Sequence, residues 1–250
     1  MTLVSLAILG LTICVTSFIA GIFGMAGGMI LLGVLLIYFD VATAMVVFSL
    51  LQFSANMSRV LLWRKFILWP IFFQFMIGGT VAFGIMRLIA FIPDKAVVYL
   101  VLGSMPFVVE ALPRAWRPNI EWRFVPYVAG FATTLVLLIA GSGGLFLDVF
   151  FQKSRLDRKT TVATKAVAHT FGHVFRVGYF AALGGAAGAG DALPLWAIAA
   201  AVVLAIGATS LAPLVLNRMT DHGFRQWTRA LILVVGATYL ARAGWLFWHG

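Results

Sequence analysis

The chain has 250 residues, of which 62% are hydrophobic and 10% charged, with 22 Phe and a formal net charge of +10 from 18 Lys and Arg against 8 Asp and Glu. Soluble domains are roughly 45–50% apolar, so this composition excludes an ordinary soluble domain and points to a chain whose own side chains face lipid. The basic residues sit in short clusters between apolar runs, as cytoplasmic loops of membrane proteins do, and no polar domain is left to present a basic face to nucleic acid.

In chain order, residues 2–39 contain no charge. As one helix they would be about 57 Å long at 1.5 Å per residue, nearly twice the hydrocarbon core. The glycines at 21, 24, 27 and 28 make a break cheap, so the spacing predicts a helical hairpin. No Lys or Arg precedes the apolar run, which therefore reads as a retained membrane segment and not a signal peptide. Cys14 is the single cysteine; it allows no intrachain disulfide and argues against a thiol metal centre. A second pass is expected at Val41–Trp63, ending in Arg59, Arg64 and Lys65, a third at Phe66–Ile92 and a fourth at Lys95–Leu112.

Residues 113–123 form a basic cytoplasmic linker with Arg114, Arg117, Arg123 and one Glu121. Phe124–Phe151 repeats the opening design, with Gly141-Ser142-Gly143-Gly144 in its second half. A basic turn at Lys153–Lys159 leads to a helix at Thr160–Leu183, a flexible turn at Gly184–Asp191, a span at Ala192–Leu216, a basic loop at Arg218–Arg225 and a last span at Trp227–Trp248. Trp245 and Trp248 suit an interfacial anchor.

The helix beginning at Thr160 carries Lys165, His169, His173 and Arg176 at i, i+4, i+8 and i+11, one polar stripe on a 3.6-residue helix. Ionisable groups inside a bilayer cost a few kcal/mol or more unless paired or wetted, so such a stripe reads as functional. Arg176 and Lys165 are also long enough to snorkel to the interface.

A shift of 117 residues places Gly24 on Gly141, Gly27 on Gly144, Asp40 on Asp157 and Arg59 on Arg176. It also sets Phe48, Gln52 and Asn56 opposite Lys165, His169 and His173. The chain is thus expected to be all-α and polytopic, with transmembrane repeats at 1–112 and 124–250. Placing every basic cluster inside, with Asp40, Asp94 and Asp191 outside, requires 124–151 to enter and return, and puts Asp40 and its copy Asp157 on opposite sides. That is an inverted repeat, the plan of many secondary transporters, with broken helices around a substrate near the midplane.

The paired glycine motifs, GIFGMAGGMILLGVLL and GLFL preceded by GSG, are each followed by a turn and an Ala/Thr-rich helix, DVATAMVVFSLLQFSANMSR and LDRKTTVATKAVAHTFGHVFRVGYF. In these features the chain resembles the TauE/SafE sulfite exporter family. The resemblance implies a multi-pass transporter of the bacterial inner membrane, exporting sulfite, a sulfonate or another small organic anion; no cofactor and no enzymatic activity are expected.

An oxyanion needs donors. Backbone N–H groups exposed at a glycine break, with about half a positive charge, could supply them at Gly27, Gly28, Gly143 and Gly144. The expected side-chain partners are Lys165 as a cation, His169 and His173 as donors or proton carriers, Arg176, and Gln52 and Asn56 from the other copy. The rival is a divalent cation on His169 and His173 at i, i+4, completed by Asp148; Lys165 and Arg176 beside the pair favour an anion. Ser142 lacks the strand and sharp turn of a nucleophile elbow. A purely structural or assembly membrane protein would tolerate loss of Lys165 and His169. Small residues at Gly184–Ala189 would allow helix contacts, including those of a homodimer.

Overall fold

The structure is a computed structural model that describes residues 3–23, 25–216 and 218–249. Gly24 of the repeat match lies outside the described residues, as do Thr2 and the side chains of Arg114, Asp191 and Arg225. Among the described residues the regular structure is all helical: α1 Leu3–Phe23, α2 Met25–Tyr38, α3 Val41–Trp63, α4 Trp69–Ile89, α5 Lys95–Ala111, α6 Val125–Ala140, α7 Gly144–Phe151, α8 Arg158–Phe180, α9 Ala186–Ala192, α10 Leu195–Leu211, α11 Pro213–Leu216 and α12 Asp221–His249.

Among the described residues four segments are long and apolar enough to cross a membrane: Leu6–Phe23, Val41–Leu61, Trp69–Ile89 and Gln226–His249. Three shorter apolar helices, Ala26–Tyr38, Val125–Ala140 and Trp196–Leu211, accompany them. Leu11, Ile77, Leu88, Val203 and Val234 are exposed on these helices, apolar surface that hydrocarbon covers without cost while every helix satisfies its own backbone. The chain is therefore an all-helical protein with the character of a membrane protein.

Helix ends follow local chemistry. Asp40 caps α3 by accepting from the Thr43 N–H at 3.0 Å, and Asp157 caps α8 by accepting from Lys159 and Thr160 N–H. Asp94 does the same for α5 through Val97. Such caps satisfy N–H groups that the first helical turn leaves free. Gly141 ends α6 at φ +76°, a left-handed conformation open to glycine without strain.

α3 and α8 each run 23 residues and lie antiparallel. Near one end Ser49 meets Arg176; at the other the Thr164 hydroxyl accepts from the Leu68 N–H at 3.0 Å. Around this pair α4 packs on α6, α1 on α10, and α5 on α12. The α4–α6 crossing is close because Gly78 lies against the Tyr127 carbonyl and Gly130 against that of Phe75. α2 folds against α1 with Gly27 on the Thr16 carbonyl, and Gly143, just ahead of α7, lies on the Thr133 carbonyl of α6.

The basic linker and the basic turn gather at one end. Lys153 Nζ donates to the Ala115 carbonyl at 2.8 Å, the Arg155 N–H to Glu121 at 2.7 Å, and Lys159 stands over Phe66. At the other end Tyr179 donates to the Phe91 carbonyl at 2.7 Å, and Asp40 lies beside Gly188.

Two sequence expectations need correction. Residues 184–191 are not a flexible turn: after a break at Leu183 and Gly184 (φ +96°) the chain re-enters helix as α9. The small residues there are partly taken up inside the chain, since Gly185 lies on the Ala42 carbonyl, Gly188 on Thr43, and Ala189 is buried. The basic loop expected over 218–225 is cut short, because α12 starts at Asp221. In both cases packing of small or amphipathic sequence on a neighbouring helix outweighs its weak local propensity.

Candidate functional site

The α3–α8 pair brings together four of the side chains that the sequence singled out. Arg176 has 0% of its surface exposed and His173 is also buried. Arg176 Nε donates to the Ser49 hydroxyl at 2.6 Å, its Nη2 lies 3.1 Å from His173 Nδ1, and its guanidinium carbon stands 4.5 Å over the Phe48 ring. His173 Nε2 lies 3.3 Å from Asn56 Nδ2, which also donates to the Gln52 carbonyl at 2.9 Å. Gln52 lies over Gly28, whose missing Cβ would fall 2.7 Å from Gln52 Nε2.

This cluster is short of acceptors. Arginine only donates, so His173 Nδ1 must accept from Arg176, and a neutral imidazole then carries its proton on Nε2. That N–H lies 3.3 Å from the side-chain amide of Asn56, which links it to α3. Arg176 Nη1 is buried and has no hydrogen-bond partner among the described residues. Thus Arg176 keeps one charged N–H without an acceptor, and no carboxylate pairs with it among the described residues. Buried polar groups are nearly always bonded, and a buried unpaired charge costs several kcal/mol.

The rest of the stripe has a different role. Lys165 on α8 forms an ion pair with Asp148 of α7, which accounts for an acid inside an apolar run. His169 lies on the same face of α8, four residues after Lys165 and four before His173. The close approach at Gly27 and Gly143 is by protein backbone, the carbonyls of Thr16 and Thr133, and Gly144 is buried at the start of α7. Glycine here serves helix contact, while Gly28 alone borders the polar cluster. For the metal reading, the described residues contain no group of three or more His, Cys, Asp or Glu placed to hold an ion, and Arg176 occupies the His173 Nδ1 lone pair.

Two contributors were not legible as site residues. Ser49 and Phe48 are an ordinary hydroxyl and an ordinary ring within an apolar helix, and their meeting with Arg176 crosses 127 and 128 residues. Arg59 reads as the start of a basic loop; the one signal for it was its match to Arg176 under the 117-residue shift.

No protein-family model, no curated protein and no solved structure matches this chain. The resemblance to TauE/SafE exporters therefore stands on the quoted motifs alone.

Proposed function

We propose that the chain is a membrane transporter that moves a small oxyanion, sulfite or an organosulfonate, by alternating access between two inverted repeats at 1–112 and 124–250, joined by the linker 113–123. The observation that carries the reading is Arg176: a fully buried guanidinium without a carboxylate partner among the described residues and with one orphan N–H, set in a cluster of His173, Asn56 and Ser49. Export as the direction, and the bacterial inner membrane as the location, follow from the family resemblance.

Support for the repeat comes from several independent places. α3 and α8 have equal length, start 117 residues apart and share an aspartate cap. α6 ends 117 residues after α1. The contacts of Gly27 with Thr16 and of Gly143 with Thr133 involve threonines that the same shift superposes. Pairing is crossed, α4 of one half on α6 of the other and α10 on α1. Asn56 and His173, equivalent under the shift, touch each other, as residues on a two-fold axis between antiparallel helices do. With the glycine breaks as hairpin turns, this is the arrangement in which a substrate site at the repeat interface opens to each side in turn. In the present conformation Arg176 has no surface to offer, so access requires α3 and α8 to move relative to each other.

The test is flux of radiolabelled sulfite into vesicles reconstituted with purified protein. Arg176→Gln is expected to reduce flux to that of empty vesicles, while the lipid-facing Val234→Ala keeps the wild-type rate. Wild-type rates in Arg176→Gln, or no wild-type flux of sulfite, thiosulfate or taurine, would overturn the reading.

A further inference from the structure

Resting on the anion-carrier reading, we propose that Arg59 forms a second oxyanion station on the α3–α8 pair, on the opposite side of the Asn56–His173 contact from Arg176. Arg59 lies within the candidate span Val41–Leu61. Among the described residues it has no hydrogen bond and no ion pair. Arg59 is partly buried, four residues before the end of α3, and a guanidinium without a counter-ion at the edge of the hydrocarbon is placed to receive an anion entering the membrane. Arg59 follows Ser49 and Asn56 at i+10 and i+3, on the face of α3 that both of them turn to α8.

The antiparallel helices set the geometry. Ser49, which holds Arg176, precedes Arg59 by ten residues, about 15 Å along α3. The Asn56–His173 contact lies between them. Moving from Ser49 toward Arg59 on α3 means moving from Arg176 toward His169 and Lys165 on α8. Arg59, His169 and Lys165 therefore meet on one stretch, and the acid there, Asp148, is engaged by Lys165. Lys165 is neutralised by that pair, which leaves the Arg59 charge uncompensated, as Arg176 is on its own side. The 117-residue shift makes these arginines counterparts. A guanidinium without a carboxylate is thus present twice, at positions that together cover about half of a hydrocarbon core some 30 Å thick. A small oxyanion would pass from one guanidinium to the other, each passage crossing the Asn56–His173 contact.

Equilibrium dialysis of the purified, detergent-solubilised full chain with radiolabelled sulfite tests this, read together with vesicle flux and a phosphorus assay for retained phospholipid. Wild type is expected to bind two sulfite ions per chain. Arg59→Gln is expected to bind one and to lose at least about tenfold in flux, equivalent to about 1.4 kcal/mol in the transport barrier. Arg59→Lys, which keeps the charge, should bind two, the second more weakly. One sulfite per wild-type chain, or two in Arg59→Gln with unchanged flux, overturns the second station while leaving the Arg176 site in place. Two sulfites in Arg59→Gln with loss of a bound phospholipid also overturns it and assigns Arg59 to a lipid phosphate. No sulfite on wild type removes the anion-carrier reading and this inference with it.

Discussion

Replacing Arg176 by Met separates a ligand-binding arginine from a structural one. The substitution removes the bond to Ser49, the bond to His173 and the stacking on Phe48. Hydrogen bonds from a charged group contribute about 2 kcal/mol each and a desolvated cation–π contact about 2 kcal/mol, so roughly 6 kcal/mol of favourable contact is lost. Against this, the variant no longer buries a charge without a counter-ion or an orphan Nη1, a relief of several kcal/mol. The two sides nearly cancel, and the unliganded variant should melt within about 4 °C of wild type, the shift that 1 kcal/mol produces in a chain of this size. The ligand response should differ sharply. An oxyanion at 100 times its dissociation constant stabilises wild type by about 2.7 kcal/mol and should do nothing for Arg176→Met. Thermal unfolding in detergent, with and without sulfite, measures both. A fall of more than about 10 °C without ligand would mean that Arg176 is fully compensated in the protein and serves the fold; a ligand shift equal to wild type would place the anion elsewhere.

Other substitutions test particular contacts. Gly28→Ala brings a Cβ to 2.7 Å from the end of the Gln52 side chain, which can swing away, so the melting temperature should stay near wild type while sulfite affinity drops several-fold. Gly130→Ala drives a Cβ into the Phe75 carbonyl, which cannot swing, and forcing α4 off α6 should cost about 3 kcal/mol in thermal unfolding. Asp148→Asn leaves Lys165 unpaired; in a double-mutant cycle with Lys165→Met the single losses should exceed the double loss, and additive effects would deny the ion pair a role. At the α8 cap, hydrogen bonds from the Thr160 hydroxyl and N–H and from the Lys159 N–H hold the Asp157 carboxyl below its usual pKa. Because the folded value is the depressed one, the contribution of Asp157 is complete above the unfolded carboxylate pKa of about 3.9 and is lost as pH falls through the folded value. The stability gap between wild type and Asp157→Asn should be flat from pH 7 to about 5 and shrink below about 4; a gap that widens on acidification would contradict the cap assignment.

Much of the architecture is local and therefore written along the chain. Apolar runs with no charge over residues 2–39 have no stable place in water, and the aspartates at 40 and 157 begin helices because their carboxylates match free first-turn N–H groups. The stripe from Lys165 to Arg176 follows from helical period alone. Period says which side chains share a face; it does not say what lies opposite. That Lys165 is neutralised by Asp148 while Arg176 is not, that Asn56 meets His173, and that Ser49 supplies the hydroxyl for Arg176 depend on two helices more than a hundred residues apart lying antiparallel at one register. The glycines divide the same way. Their number signalled breaks, yet whether a given glycine admits a ligand or a neighbouring carbonyl, as Thr16 does at Gly27, is decided by which backbone packs against it. Sequence by itself determined a helical membrane chain with a costly polar face; the tertiary pairing of α3 with α8 decided which cation on that face lacks a partner, because compensation of charge depends on distance in space and not along the chain.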